Sequence, residues 1–142
     1  MGRGMGCLGG KYITFLIEVM YKAGNRPIGS VGLSDVKAND HNASFGIDIG
    51  EKECWGKGYG TEAARLILKY GFEQLNLHRI YSEVWSFNER SLRMHLKVGF
   101  KEEGRQREAV YKNGTYHGIV MFGMLKDEWG KLEPTERDSP LP

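Results

Sequence analysis

The sequence predicts an α/β fold: a mixed sheet with helices between its strands. Three observations carry this. Phe45, Ile47 and Ile49 alternate with Gly46 and Asp48, the two-residue period of a half-buried strand. Ala63, Leu66, Ile67 and Tyr70 then recur at helical intervals. A further strand, Arg79 to Trp85, and a further helix, Glu89 to Val98, repeat the order, and strands joined by a helical crossover run parallel.

The elements follow in chain order. The opening MGRGMGCLGG is glycine-rich without periodicity, so residues 1–11 read as a flexible arm outside the fold. TFLIEVMY, residues 14 to 21, is β-branched and aromatic and reads as a strand. A turn at Ala23, Gly24 and Asn25 leads to a second strand, Pro27 to Leu33, and the polar run Ser34 to Asn42 reads as a connection. Gly56, Gly58 and Gly60 precede a helix from Thr61 to about Leu75. The next helix has Asn88 as N-cap and Glu89 near the positive end of its dipole. It should stop at Gly99, with Phe100 folding back. Two β-rich arms around Asn113-Gly114 form a hairpin. The last residues hold three of the four prolines, so 130–142 read as an unstructured tail behind one domain, 12–129.

Composition narrows the function. The chain has 142 residues, 40% apolar and 27% charged, the profile of one globular domain. Its net charge of +2 does not favour nucleic acid, and the one tight basic cluster, Arg90, Arg93 and Lys97, has the spacing of a solvated helix face. Cys7 and Cys54 form no disulfide framework and no metal-ligand pattern, which fits a reducing cytoplasm. No apolar run approaches the roughly 20 residues of a membrane span. The expectation is a cytoplasmic protein without metal, membrane or nucleic acid.

The stretch from strand to glycine loop to helix is the first candidate site. Backbone N–H groups at a helix start lack internal partners, and glycines let an anion approach them. Lys57 would add charge. The triphosphate-binding loop pattern is absent, and the dinucleotide pattern fails because the third glycine comes one residue early. From the loop alone, a phosphate cradle and a plain turn stand equal. The second candidate is the helix face shared by Asn88, Ser91, Leu92 and His95, at i, i+3, i+4 and i+7. Asn, Ser and His do not make an ordinary core stripe, although for this face by itself a cap and a partly buried, backbone-bonded histidine are the preferred explanation.

With both motifs in view, the chain resembles the GNAT superfamily of acetyl-coenzyme A-dependent N-acetyltransferases, nearest its RimJ/RimL-like branch. The resemblance covers roughly residues 12 to 129. WGKGYGTEAARLILKYGF resembles the family's pyrophosphate loop and helix, NERSLRMHLKVGF its second motif, and EEGRQREAVYKNGTYHGIVMFGMLKDEW the ending of this branch. The resemblance implies a mostly antiparallel sheet with one splayed parallel pair and flanking helices, the family's N-terminal helices being missing here. It implies acetyl-coenzyme A bound by backbone amides from Gly56 to Thr61, flanked by Trp55, Lys57 and Tyr59. Pantetheine would insert beside the strand carrying Ile47 and Ile49, with Asn88 and Ser91 near its arm.

Position 95 would lie near the thioester sulfur. His95 stands where most members have the tyrosine that protonates departing coenzyme A, so it is the expected general acid. A base for the incoming ammonium would be Asp48, Glu51 or Glu83, each of which, taken alone, reads more readily as a solvated carboxylate. The resemblance thus implies an enzyme acetylating a primary amine (a protein N-terminus, a polyamine or another small amine) by direct attack in a ternary complex. Since about a dozen residues precede the first strand, the start is truncated, a partner subunit such as a homodimer mate fills the gap, or the acceptor cleft is open. The alternatives are a non-catalytic acyl-coenzyme A binding module and, on the glycine loop alone, a nucleotide-binding regulatory domain.

Overall fold

The computed structural model describes residues 4–6, 12–21, 24–50, 56 and 58–132, with side chains from residue 28 onward. Its strands are β1 (Gly4–Gly6), β2 (Tyr12–Tyr21), β3 (Gly24–Lys37), β4 (Asn42–Ile49), β5 (Arg79–Trp85), β6 (Lys101–Lys112) and β7 (Thr115–Leu125). The helices are α1 (Tyr59–Lys69), α2 (Glu89–Val98) and α3 (Lys126–Lys131). One sheet takes the strands in the order β1-β2-β3-β4-β5-β7-β6. Every neighbouring pair is antiparallel except β4 and β5, which are parallel. The mixed, mostly antiparallel sheet with one parallel pair is as expected.

Several bounds differ, each for a physical reason. Gly4–Gly6 pairs with Ile13–Phe15, in a stretch read as lying outside the fold. Backbone ladders need no side-chain pattern, so a glycine strand leaves no periodicity to read. Residues 7–11 and Ala23 lie outside the described residues. β3 continues through the supposed connection to Lys37, with an irregularity after Ser34. Ser34 and its partner Ser44 are only half-buried, so that stretch needs no apolar alternation. α3 reaches Lys131, two residues into the expected tail, because Trp129 is buried and stacks on Phe72 at 5.9 Å. The Asn113-Gly114 hairpin and the Asn88 cap stand where expected.

The core lies on one face of the sheet. Val31 and Leu33 of β3, Ala43 and Phe45 of β4, Ile80 and Val84 of β5, and Val120, Phe122 and Met124 of β7 are buried there. Ala64, Ile67 and Leu68 of α1 pack among them. The opposite face carries Ser30, Ser34, Ser44, Asp48, Tyr81 and Glu83, all partly or fully exposed. Among the described residues no helix is long and apolar enough to cross a membrane.

α1 passes into a π-helical turn, Tyr70–Gln74, whose Gly71 is buried. A Cβ on Gly71 would fall 2.8 Å from Ile80 Cδ1 and 3.1 Å from Leu33 Cδ1. The missing side chain therefore seats this helix on β3 and β5 and fixes where its other end meets the sheet. Gly71→Ala is expected to cost about 1–3 kcal/mol, the usual range for overpacking a core. Urea unfolding of both forms measures it, and an unchanged midpoint would contradict the packing.

Candidate active site

The site begins where a ladder ends. β4 and β5 pair only at Asn42–Arg79, Ala43–Ile80 and Ser44–Tyr81, after which the strands part. The Gly50 N–H bonds the Ile28 carbonyl at 3.0 Å, on the β3 side. Strand period two then turns the N–H and C=O of Ile47 towards β5, where the parallel ladder has ended and offers no partner. A polar strand edge thus opens inside the sheet.

The glycine loop meets this edge. Gly56 and Gly58 have φ of +76° and +84°, the left-handed region that costs a residue with a Cβ about 1–2 kcal/mol. Gly58 is the N-cap of α1 and makes no side-chain cap bond. Its carbonyl accepts the Glu62 N–H at 3.0 Å, so the amides of Tyr59, Gly60 and Thr61 precede the first helical bond. Gly60 brings this turn onto β4, for a Cβ there would lie 3.3 Å from Ile49 Cδ1.

α2 forms the other wall. Asn88 Oδ1 accepts the Ser91 N–H at 3.2 Å and starts the helix at the cleft. Gly99, also left-handed, stops it, and the Phe100 N–H returns to the His95 carbonyl at 3.0 Å. The resulting cleft, about 450 Å³, is lined by Ile47, Asp48 and Ile49 of β4, by Gly56 and Gly58 to Thr61, and by α2. From α2 come Asn88, Ser91, Arg90, Arg93, Met94 and Lys97. Among the described lining residues, three cations thus face an amide cradle, with Asp48 as the carboxylate.

This corrects the face assigned to α2. Arg90, Arg93, Met94 and Lys97 are themselves spaced i, i+3, i+4 and i+7, and that stripe faces the cleft. His95 turns to the core instead, 1% exposed, with Val98. Its ring stacks on Phe122 at 5.0 Å and meets Phe45 edge-on at 5.5 Å. Nδ1 lies 2.7 Å from the Ser91 carbonyl, which only accepts, so Nδ1 carries the hydrogen. In the neutral ring Nε2 is then an acceptor, facing Ser82 Oγ at 2.8 Å. The ring does not line the cleft and meets its wall only through Ser91, whose carbonyl and Oγ lie 2.7 and 3.4 Å from Nδ1, so the general acid expected here has no direct contact with the cleft.

The remaining expected residues divide clearly. Ile47, Asp48, Ile49, Gly56, Gly58, Tyr59, Gly60, Thr61, Asn88 and Ser91 all line the cleft. Glu83 does not; it is exposed on the sheet face that also carries Asp48. Glu51, Trp55 and Lys57 lie outside the described residues.

A parted parallel strand pair beside an anion cradle is what the resemblance implied, and comparison with known proteins agrees. The family described as the acetyltransferase (GNAT) domain matches residues 6–101. The chain belongs to the GNAT family. It is similar to the putative ribosomal N-acetyltransferase YdaF of Bacillus subtilis (strain 168), 37% identical over 101 residues, covering 71% of this chain and 55% of that protein. It is similar also to the spermidine N(1)-acetyltransferase of Escherichia coli (strain K12), 33% identical over 101 residues, covering 71% of this chain and 54% of that one. Among solved structures, the dodecameric spermidine N-acetyltransferase of Vibrio cholerae in its intermediate state superposes with a TM-score of 0.75 at 29% identity. That match covers 85% of this chain and 68% of that chain. This GNAT chain spans a little over half the length of the curated relatives it matches.

Burial of His95 has a consequence for stability. Desolvation lowers its pKa below the ordinary 6.5, outweighing the opposing hydrogen bond to Ser91. Below pH 6.5 the unfolded chain takes up a proton that the folded chain refuses. Stability is therefore full above that pH and falls as pH drops towards the folded value, by at most about 1.4 kcal/mol per pH unit. Denaturant melts between pH 7.5 and 5 should show that slope, and His95→Phe should flatten it. An equal slope in both forms would contradict the burial.

Proposed function

We propose that the protein moves an acetyl group from acetyl-coenzyme A to a primary amine by direct attack within a ternary complex. The observation carrying this is the juxtaposition of an unpaired strand edge at Ile47 with the amide cradle at Tyr59–Thr61. A cofactor with amide groups at one end and a pyrophosphate at the other suits that pair. Backbone amides at the start of α1 would hold the pyrophosphate, aided by the helix dipole. Ile47 would bond a pantetheine amide as a strand neighbour would. Asn88 and Ser91 would flank the arm, and Arg93 and Lys97 offer positive charge to the phosphates.

The chemistry follows from what lines the cleft. The neutral amine attacks the thioester carbonyl, the C–S bond breaks, and the sulfur departs as thiolate. A strand N–H beyond the end of the ladder would polarise the carbonyl oxygen. Of the two candidate bases among the described residues, Asp48 and Glu83, Asp48 lines the cleft, so we assign it the ammonium proton, through water. The acceptor would reach the acyl group from the sheet face shared by Asp48 and Glu83. Two relatives named for spermidine, and one named for ribosomal acetylation, make a polyamine or a protein N-terminus the acceptor classes of choice, in keeping with a RimJ/RimL-like branch.

The direct test pairs coenzyme A release across an amine panel with calorimetry of acetyl-coenzyme A and ATP. Turnover with a polyamine or an N-terminal peptide is expected. Coenzyme binding without turnover would favour a binding module, and binding of ATP alone would reject the proposal. Asp48→Asn should lower kcat by about 10²-fold or more, the usual loss on removing a general base, with little change in acetyl-coenzyme A affinity. An unchanged kcat would remove Asp48 from the chemistry.

A further inference from the structure

Continuing the β4–β5 register one step would pair Phe45 with Ser82. No backbone pair forms there. Ser82 is buried, and its side-chain Oγ meets the Phe45 carbonyl at 3.3 Å. That carbonyl faces β5, by the parity that sends the Gly50 N–H to β3. The same Oγ lies 2.8 Å from His95 Nε2, and His95 Nδ1 donates to the Ser91 carbonyl at 2.7 Å. Ser91 in turn donates its N–H to Asn88 Oδ1.

A polar chain therefore runs from Ser82, beside the point where the strands part, through His95 to Ser91 and Asn88 at the cleft wall. The His95 ring also fills the space between Phe45, Phe100 and Phe122, with centroids 5.0–5.5 Å away. A serine hydroxyl left to itself would choose between its neighbours. Here the neutral His95 accepts its one hydrogen at Nε2, so the hydroxyl oxygen faces the Phe45 carbonyl with no hydrogen between them, and the two oxygens resist closure of β5 on β4.

We infer that Ser82 and His95 are positioning residues that keep β4 and β5 apart, setting the width of the cleft and tying it to the α2 wall. The lock rests on geometry alone; its effect on cofactor binding rests on the coenzyme reading above. It gives position 95 a task that requires burial rather than access to the reacting atoms.

The test uses Ser82→Ala, with Val84→Ala as control: Val84 is buried on the same strand face but has no place in the polar chain. Two readouts are taken below the melting temperature of every form. One is hydrogen exchange of the amides from Phe45 to Ile49; the other is acetyl-coenzyme A affinity. Ser82→Ala should let β5 close on β4, slowing exchange of the Ile47 amide about tenfold and weakening acetyl-coenzyme A binding about fivefold, the scale of one backbone hydrogen bond. Ser82→Thr, which keeps the hydroxyl, should recover most of both. Val84→Ala should lower the melting temperature and change neither readout at this segment. Equal effects of Ser82→Ala and Val84→Ala, or none from Ser82→Ala on exchange, would overturn the lock. Altered exchange in a protein that binds no acetyl-coenzyme A would support the lock and reject the coenzyme reading instead.

Discussion

Three residue pairs hold β4 to β5, and the cleft exists because the fourth does not form. A parallel ladder normally satisfies both edges of a strand along its length. Here β4 stays paired to β3 through Ile49 while its other edge is released after Ser44. One strand is thus held along one side and, at Ile47, without a ladder partner on the other. That combination presents backbone groups to a ligand without leaving them loose. The packing of His95 against Phe45, Phe100 and Phe122 fills the wedge so that water need not.

The helices turn this opening into a site with direction. α1 starts beside the released edge, with two left-handed glycines ahead of it and Gly60 against Ile49. Its first amides and its dipole make one end of the cleft attractive to anions. α2 starts at the same place from the other side, held by the Asn88 cap, and adds Arg93 and Lys97. Asp48 supplies the opposite charge, on a strand whose alternation points it away from the core. The polarity of the cleft therefore follows from two helix starts and the parity of one strand.

Much of this was legible in the sequence because local rules carried it. The alternation from Phe45 to Ile49, the Asn88 cap, the Gly99 stop and the Asn113-Gly114 turn each depend on residues close in the chain. The glycine loop told of a helix start, and α1 begins directly after Gly58. What stayed hidden depends on contacts distant in sequence. His95 was assigned to the cleft by the resemblance, and the plainer reading of its helix face, a buried histidine bonded to backbone, is what the structure has, since a period gives faces only relative to one another. Phe45, Phe122 and Ser82, on three other strands or turns of sequence, decide which face is inward. The cations of α2 are exposed, as a solvated face should be, and they border the cleft as well, which the spacing 90, 93, 94 and 97 did not tell. The π-helical turn at Gly71 had no local signal, since it answers to Ile80 and Leu33.

The central claim is that the released edge of β4 and the start of α1 together receive one ligand. Backbone amide NMR during titration with coenzyme A tests it most directly. The amides of Ile47 and of Tyr59 to Thr61 should shift together, with one saturation curve, while those of β6 stay still. Shifts confined to the glycine loop, with Ile47 unmoved at saturation, would contradict the account.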